Sequence, residues 1–146
     1  MPKFAANLTM LYNELAFLDR FEAAARAGFT AVEYLFPYAF AKEELAERLQ
    51  RFGLTQVLHN LPAGDWEGGE RGITCHPDRV DEFQTGVEEA IDYAKALGCK
   101  QLNCLAGLIP EAMDLERVRE TFTSNLKHAA DKLAVEGIRL LIEPIN

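Results

Sequence analysis

Glu143 closes an apolar run, Ile138-Arg139-Leu140-Leu141-Ile142, and is followed by Pro144-Ile145-Asn146. A carboxylate at the end of a buried strand can take a proton from carbon or ligate a hard divalent cation, so this position is read first for acid/base or metal chemistry. A strand-end charge paired with Arg139 or with a neighbouring strand is the structural alternative. His59 ends another apolar run, Gln56-Val57-Leu58. Its imidazole is expected at the same mouth as a substrate contact or proton relay, against the alternative of a hydrogen-bonded core histidine. Arg71 lies in a glycine-rich stretch, Gly68-Gly69-Glu70-Arg71-Gly72. Its guanidinium can grip a carboxylate through two parallel hydrogen bonds, or it can be a solvated loop cation. Trp66 can wall a pocket or anchor the loop. His76 beside Cys75 does not read as a metal pair, because adjacent residues rarely converge on one ion.

The elements that must position these groups repeat in one order. Gly28, Gly53, Gly98 and Gly137 each follow a helical pattern and precede a short apolar run. A glycine just past a helix end closes it, so the unit is helix, glycine, strand. Strands are expected at Phe4 to Leu8, Ala31 to Phe36, Gln56 to His59, Gln101 to Leu105 and Ile138 to Ile142. They are apolar without alternation, as strands covered on both faces are, and their alternation with helices implies a parallel sheet.

Four apolar helix faces would cover that sheet: Leu18, Phe21 and Ala25; Leu45, Leu49 and Phe52; Val80, Phe83, Val87, Ile91 and Ala94; and Leu115, Val118, Phe122, Leu126 and Leu133. Asp114 is placed to cap the last helix, and Pro77-Asp78 suits the start of the third.

Periodicity alone does not separate a barrel from an open doubly wound sheet. No glycine-rich phosphate loop follows the first strand, which removes the best support for a dinucleotide fold. Glu143 at the end of the last run fits an α/β (β/α)8 barrel, whose chemistry sits at the carboxyl ends of its strands, with the open sheet as the alternative. A closed barrel needs eight strands and roughly 250 residues, so residues 1–146 read as its amino-terminal part, strands one to five, in a single domain. The stretch from Leu61 to His76 is long for a strand-to-helix connection and is expected to cover the site.

Composition sets the outer limits. With 49% hydrophobic and 26% charged residues the chain has the balance of a globular domain. A net charge of −8 argues against nucleic acid as a partner and leaves small polar metabolites. Cys75, Cys99 and Cys104 form no C-x-x-C pair, and their odd number fits reduced thiols and a cytoplasmic protein. The start, Met1 to Leu8, is broken by Asn7 before a signal-peptide core is complete, and no run reaches membrane-spanning length.

Several segments carry a more specific likeness: Phe4 to Leu11, Val32-Glu33-Tyr34-Leu35-Phe36-Pro37-Tyr38, Leu58-His59-Asn60-Leu61-Pro62-Ala63-Gly64-Asp65-Trp66, Gly69-Glu70-Arg71-Gly72, Asn103-Cys104-Leu105 and Leu141-Ile142-Glu143-Pro144-Ile145-Asn146. Together they resemble the hydroxypyruvate isomerase family of xylose-isomerase-like barrels, in order along the whole chain. The resemblance implies interconversion of hydroxypyruvate and tartronate semialdehyde through an enediolate. A 2-oxo-tetronate isomerase or related sugar epimerase is the alternative, and a non-catalytic half-barrel the reading if the chain ends at Asn146.

The resemblance further implies a divalent metal, magnesium or manganese, held by two strand-end glutamates with Asp and Gln between them. Glu143 matches the first glutamate as catalytic residue and metal ligand, and the others would lie beyond Asn146. Asn7, His59, Trp66 and Arg71 are taken as candidate contacts to a small hydroxy-oxo acid or sugar-acid substrate. No nucleic acid or membrane partner is expected. Residues 1–146 alone are expected to be inactive and to self-associate through open edges, as a homo-oligomer or aggregate.

Overall fold

A computed structural model describes residues 2–109 and 113–143. In chain order these form β1 (Ala6–Asn7), α1 (Arg20–Arg26), β2 (Ala31–Glu33), α2 (Lys42–Phe52), β3 (Thr55–Asn60), α3 (Val80–Leu97), β4 (Gln101–Leu105), α4 (Leu115–Val135) and β5 (Arg139–Glu143). Single 3-10 turns at Phe17–Asp19 and Pro77–Arg79 lead into α1 and α3. The terminal Pro144-Ile145-Asn146 lies outside the described residues.

All strand pairs are parallel and the strands lie side by side in chain order, β1-β2-β3-β4-β5. A doubly wound sheet reverses its order at a switch point, and this one never does. Each helix packs on the next, α1 on α2, α2 on α3 and α3 on α4, forming one layer over one face of the sheet. The result is five strands of a β/α barrel, with helices outside and the other face turned toward the barrel axis. The parallel sheet and the four helices are as the residue pattern predicts, and the unreversed strand order is that of the barrel the resemblance implies.

Helix ends also follow that pattern. Gly28, Gly53, Gly98 and Gly137 all have positive φ, and the Asp114 side chain accepts a hydrogen bond from the Glu116 N–H at 3.2 Å. The core lies between sheet and helices, where Phe21, Val32, Leu45, Val87, Ala90, Leu102 and Leu133 are all fully buried. Phe17 packs edge-on against Phe21 and Tyr34 at centroid separations of 5.8 and 5.3 Å.

Two strands are shorter than expected. β1 keeps only Ala6–Asn7, and Phe4, placed in the strand by its hydropathy, is 75% exposed, since this edge pairs on one side only. β2 stops at Glu33 because the following backbone bonds to other groups: the Leu35 N–H donates to Thr9 Oγ1 at 2.9 Å, and its carbonyl accepts from the Asn60 N–H at 2.9 Å.

Candidate active site

One irregularity in the sheet decides which side chains meet. Val32 pairs with Gln56 but Glu33 pairs with Leu58, so β3 carries one extra residue, Val57, at this level. A bulge of this kind re-aims every side chain that follows it. It brings Leu58 and Asn60 into phase with Glu33. Asn7 pairs with Glu33, Asn60 with Asn103, and Asn103 with Leu141, two residues before Glu143. A row of polar groups thus crosses all five strands on the face away from the helices.

These residues line a concavity of about 390 Å³ that includes Asn7, Met10, Glu33, Asn60, Asn103 and Glu143. Larger hollows of about 450 and 730 Å³ open at the amino ends of the strands, and neither is lined by a carboxylate, histidine or cysteine. The hollow with Glu33 and Glu143 lies at the carboxyl end of the strands, the end at which β/α barrels carry their chemistry.

Within the row the hydrogen bonds form two groups. Asn7 Nδ2 donates to Glu33 Oε1 at 3.1 Å, and Asn7 Oδ1 accepts from the Thr9 N–H at 3.0 Å. Asn103 Nδ2 donates to Glu143 Oε2 at 2.9 Å and to Asn60 Oδ1 at 3.1 Å. Glu143 therefore has the placement its sequence position predicts, and Asn7 joins it in the same hollow. Glu33, a charged residue inside β2, has a hydrogen-bond partner in Asn7. Asn60 and Asn103 carry no special weight in the sequence, although an asparagine inside Leu102-Asn103-Cys104 was a signal, since a buried strand rarely spends a polar side chain without a partner for it.

His59 is a correction. It does not reach the mouth: its ring is fully buried on the helix side, edge-on to Tyr38 at a centroid separation of 6.2 Å and facing the Ala90 backbone of α3. Without the extra residue Glu33 would pair with Val57, and His59 would fall in the polar row. Neither ring nitrogen meets a partner in full hydrogen-bond geometry. Burial, only partly offset by the Ala90 carbonyl, pushes its imidazole pKa down from 6.5 to about 4. His59 is thus a neutral core residue rather than a substrate contact.

The long loop is also used differently. No described residue of 61–76 lines the concavity with Glu143. Arg71 stacks its guanidinium on Trp66, 4.2 Å from the ring centroid, and its Nη1 donates to the carbonyls of Glu70 and Trp66 at 2.7 and 3.1 Å. The guanidinium expected to clamp a substrate instead braces its own loop. Trp66 packs edge-on against Phe36 at 5.0 Å and so anchors that loop.

Further along, Thr74 Oγ1 donates to the Leu105 carbonyl at 2.8 Å, and Asn125 of α4 donates to the Thr74 carbonyl at 2.9 Å. Gly72, at φ 107°, passes so close to the Leu105 carbonyl that a Cβ would overlap it. Glu70 pairs with Arg79, and its carboxyl pKa is held low by the Asp65 N–H and by that guanidinium. The loop is therefore tied down at the end of β4.

Among the described residues only Glu33 and Glu143 bring carboxylates to the hollow. Among the described residues no group of three or more His, Cys, Asp or Glu side chains converges as a metal site. Cys75, Cys99 and Cys104 are buried free thiols.

A family profile described as xylose isomerase-like TIM barrel matches residues 21–146. The chain belongs to that family. Among curated relatives it is 53% identical, over all of its length, to hydroxypyruvate isomerase of Escherichia coli, of which it covers 57%. It is 51% identical to 2-oxo-tetronate isomerase of Cupriavidus necator, again over its whole length and 56% of that protein. Among solved structures, one described as AP endonuclease, family 2 from Brucella melitensis superposes with a TM-score of 0.95 at 49% identity, covering all of this chain and 56% of the other. The chain thus spans little more than half the length of the relatives it matches.

Proposed function

We propose that the complete protein is an isomerase of small hydroxy-oxo acids, converting hydroxypyruvate into tartronate semialdehyde and back. The observation that carries this reading is Glu143 at the carboxyl end of β5, facing the polar concavity with its carboxylate held by Asn103. The relatives named hydroxypyruvate isomerase and 2-oxo-tetronate isomerase support it.

The chemistry is a proton transfer between neighbouring carbons. Glu143 removes a proton from C3 of hydroxypyruvate, giving an enediolate between C2 and C3. It then returns a proton to C2, while the hydroxyl proton passes from O3 to O2, so that ketone becomes alcohol and alcohol becomes aldehyde. Asn7 supplies an amide group that can orient the substrate hydroxyls. A magnesium or manganese ion ligated by Glu143 and by donors from further strands would supply charge stabilisation for the enediolate oxygens. Among the described residues the lining of the hollow has no lysine or arginine.

A 2-oxo-tetronate is the second reading, favoured by the Cupriavidus relative. A nuclease, as the Brucella structure is described, is disfavoured by the net charge of −8 and by the missing cations in the hollow. Assay of the complete protein against hydroxypyruvate, 2-oxo-tetronates and an abasic-site duplex, with and without a chelator, tests the proposal. Chelator-sensitive isomerisation of a hydroxy-oxo acid is expected. Cleavage of the duplex without isomerisation would overturn it.

A further inference from the structure

We propose that Asn103 is a positioning residue that holds the Glu143 carboxylate in its reactive orientation, with Asn60 as the fixed anchor behind it. The inference rests on the reading of Glu143 as the proton-transferring group. A carboxylate only accepts, so the 2.9 Å contact must present the nitrogen of Asn103 to Glu143. That nitrogen has one further hydrogen, which goes to Asn60 at 3.1 Å, so Asn60 must present its oxygen. The orientation of both amides therefore follows from the carboxylate at the end of the chain of bonds.

Asn60 is itself immobilised. Its N–H donates to the Leu35 carbonyl at 2.9 Å, its carbonyl accepts from the Tyr38 hydroxyl at 2.5 Å, and its side chain is sealed in a residue only 3% exposed. Asn103, 5% exposed, is held opposite it in the β3–β4 register, and its carbonyl accepts from the Leu61 N–H at 2.8 Å. Glu143, by contrast, is an exposed residue at the end of β5. Three side-chain torsions separate its carboxylate from the backbone, and Asn103 fixes them from a rigid support.

The arrangement also leaves a defect. With its oxygen turned to Asn103, Asn60 has a buried Nδ2 with no hydrogen-bond partner among the described residues. An aliphatic pair at these two positions would fill the strands without that penalty. A pair that only tied β3 to β4 would not need Glu143, whereas this one spends its remaining donor on it. Proton transfer to carbon tolerates little misplacement of the base, which is what such a support provides.

The test compares Asn103→Leu, Glu143→Asp and the double variant in the complete protein, with kcat and KM measured separately and folding checked by thermal melting. Asn103→Leu should lower kcat by about 10–100-fold with KM changed less than about twofold. Glu143→Asp withdraws the carboxylate from Asn103, so in that background Asn103→Leu should cost no more than about a further twofold. Unchanged kcat in Asn103→Leu, or the same loss in both backgrounds, would overturn the proposal. If Asn103→Leu does not fold, Asn60→Leu with the same Glu143→Asp cycle gives the reading, with a smaller loss of kcat expected and additivity contradicting it. Glu143→Gln separates the two claims: full activity there sinks the functional reading, whereas an inactive Glu143→Gln beside a normal Asn103→Leu sinks only this one.

Discussion

His59 and Asn60 are consecutive in β3 and lie on opposite sides of the sheet: Asn60 faces the hollow and bonds to Asn103, whereas His59 is buried beneath α3. The extra residue at Val57 sets this division. It gives the histidine a consequence for stability rather than for catalysis.

The folded pKa of His59, about 4, is below the unfolded 6.5, so the unfolded chain binds its proton first as pH falls. Stability is full above pH 6.5 and is lost between 6.5 and 4, by roughly 3 kcal/mol at the lower end. Carboxylates contribute little between pH 6.5 and 5. Urea unfolding of wild type and His59→Leu in that interval should show a slope in the first that is absent from the second. Parallel curves would contradict a buried neutral imidazole.

Gly72→Ala should destabilise the protein by about 2–4 kcal/mol, because it combines left-handed backbone with overlap of the Leu105 carbonyl. Thermal melting reads the loss. A melting temperature within a degree of wild type would mean that the loop is not seated on β4 as described.

Arg71→Ala should cost about 1–2 kcal/mol and speed proteolysis near Trp66, since it removes the stacked cation and two carbonyl contacts. Its effect on kcat/KM should be the same for carboxylated and uncharged substrates. A loss confined to carboxylated substrates would restore the clamp read from its position in the sequence.

Much of the architecture is legible in the residues because it depends on local rules. Glycine after each helix, apolar runs between them and Asp114 at a helix start all follow from short-range conformational preferences. Glu143 is legible for the same reason, since a strand end is a local feature. The phase of β3 is not, because the extra residue at Val57 is defined only against β2. It turned His59 away and admitted Asn60. Asn125, buried mid-helix, and Arg71, folded onto Trp66, likewise find their partners through the tertiary fold.

Glu143 at the head of this row is the centre of the account, and Glu143→Gln in the complete protein is its most direct measurement. The substitution keeps the side chain's size and its hydrogen-bonding reach to Asn103, but removes the group that accepts the carbon-bound proton. The kcat for hydroxypyruvate isomerisation should fall by about 10²–10⁴-fold, with the circular dichroism spectrum and melting temperature of a folded protein. A Glu143→Gln variant that turns over hydroxypyruvate at near wild-type rate would contradict the assignment.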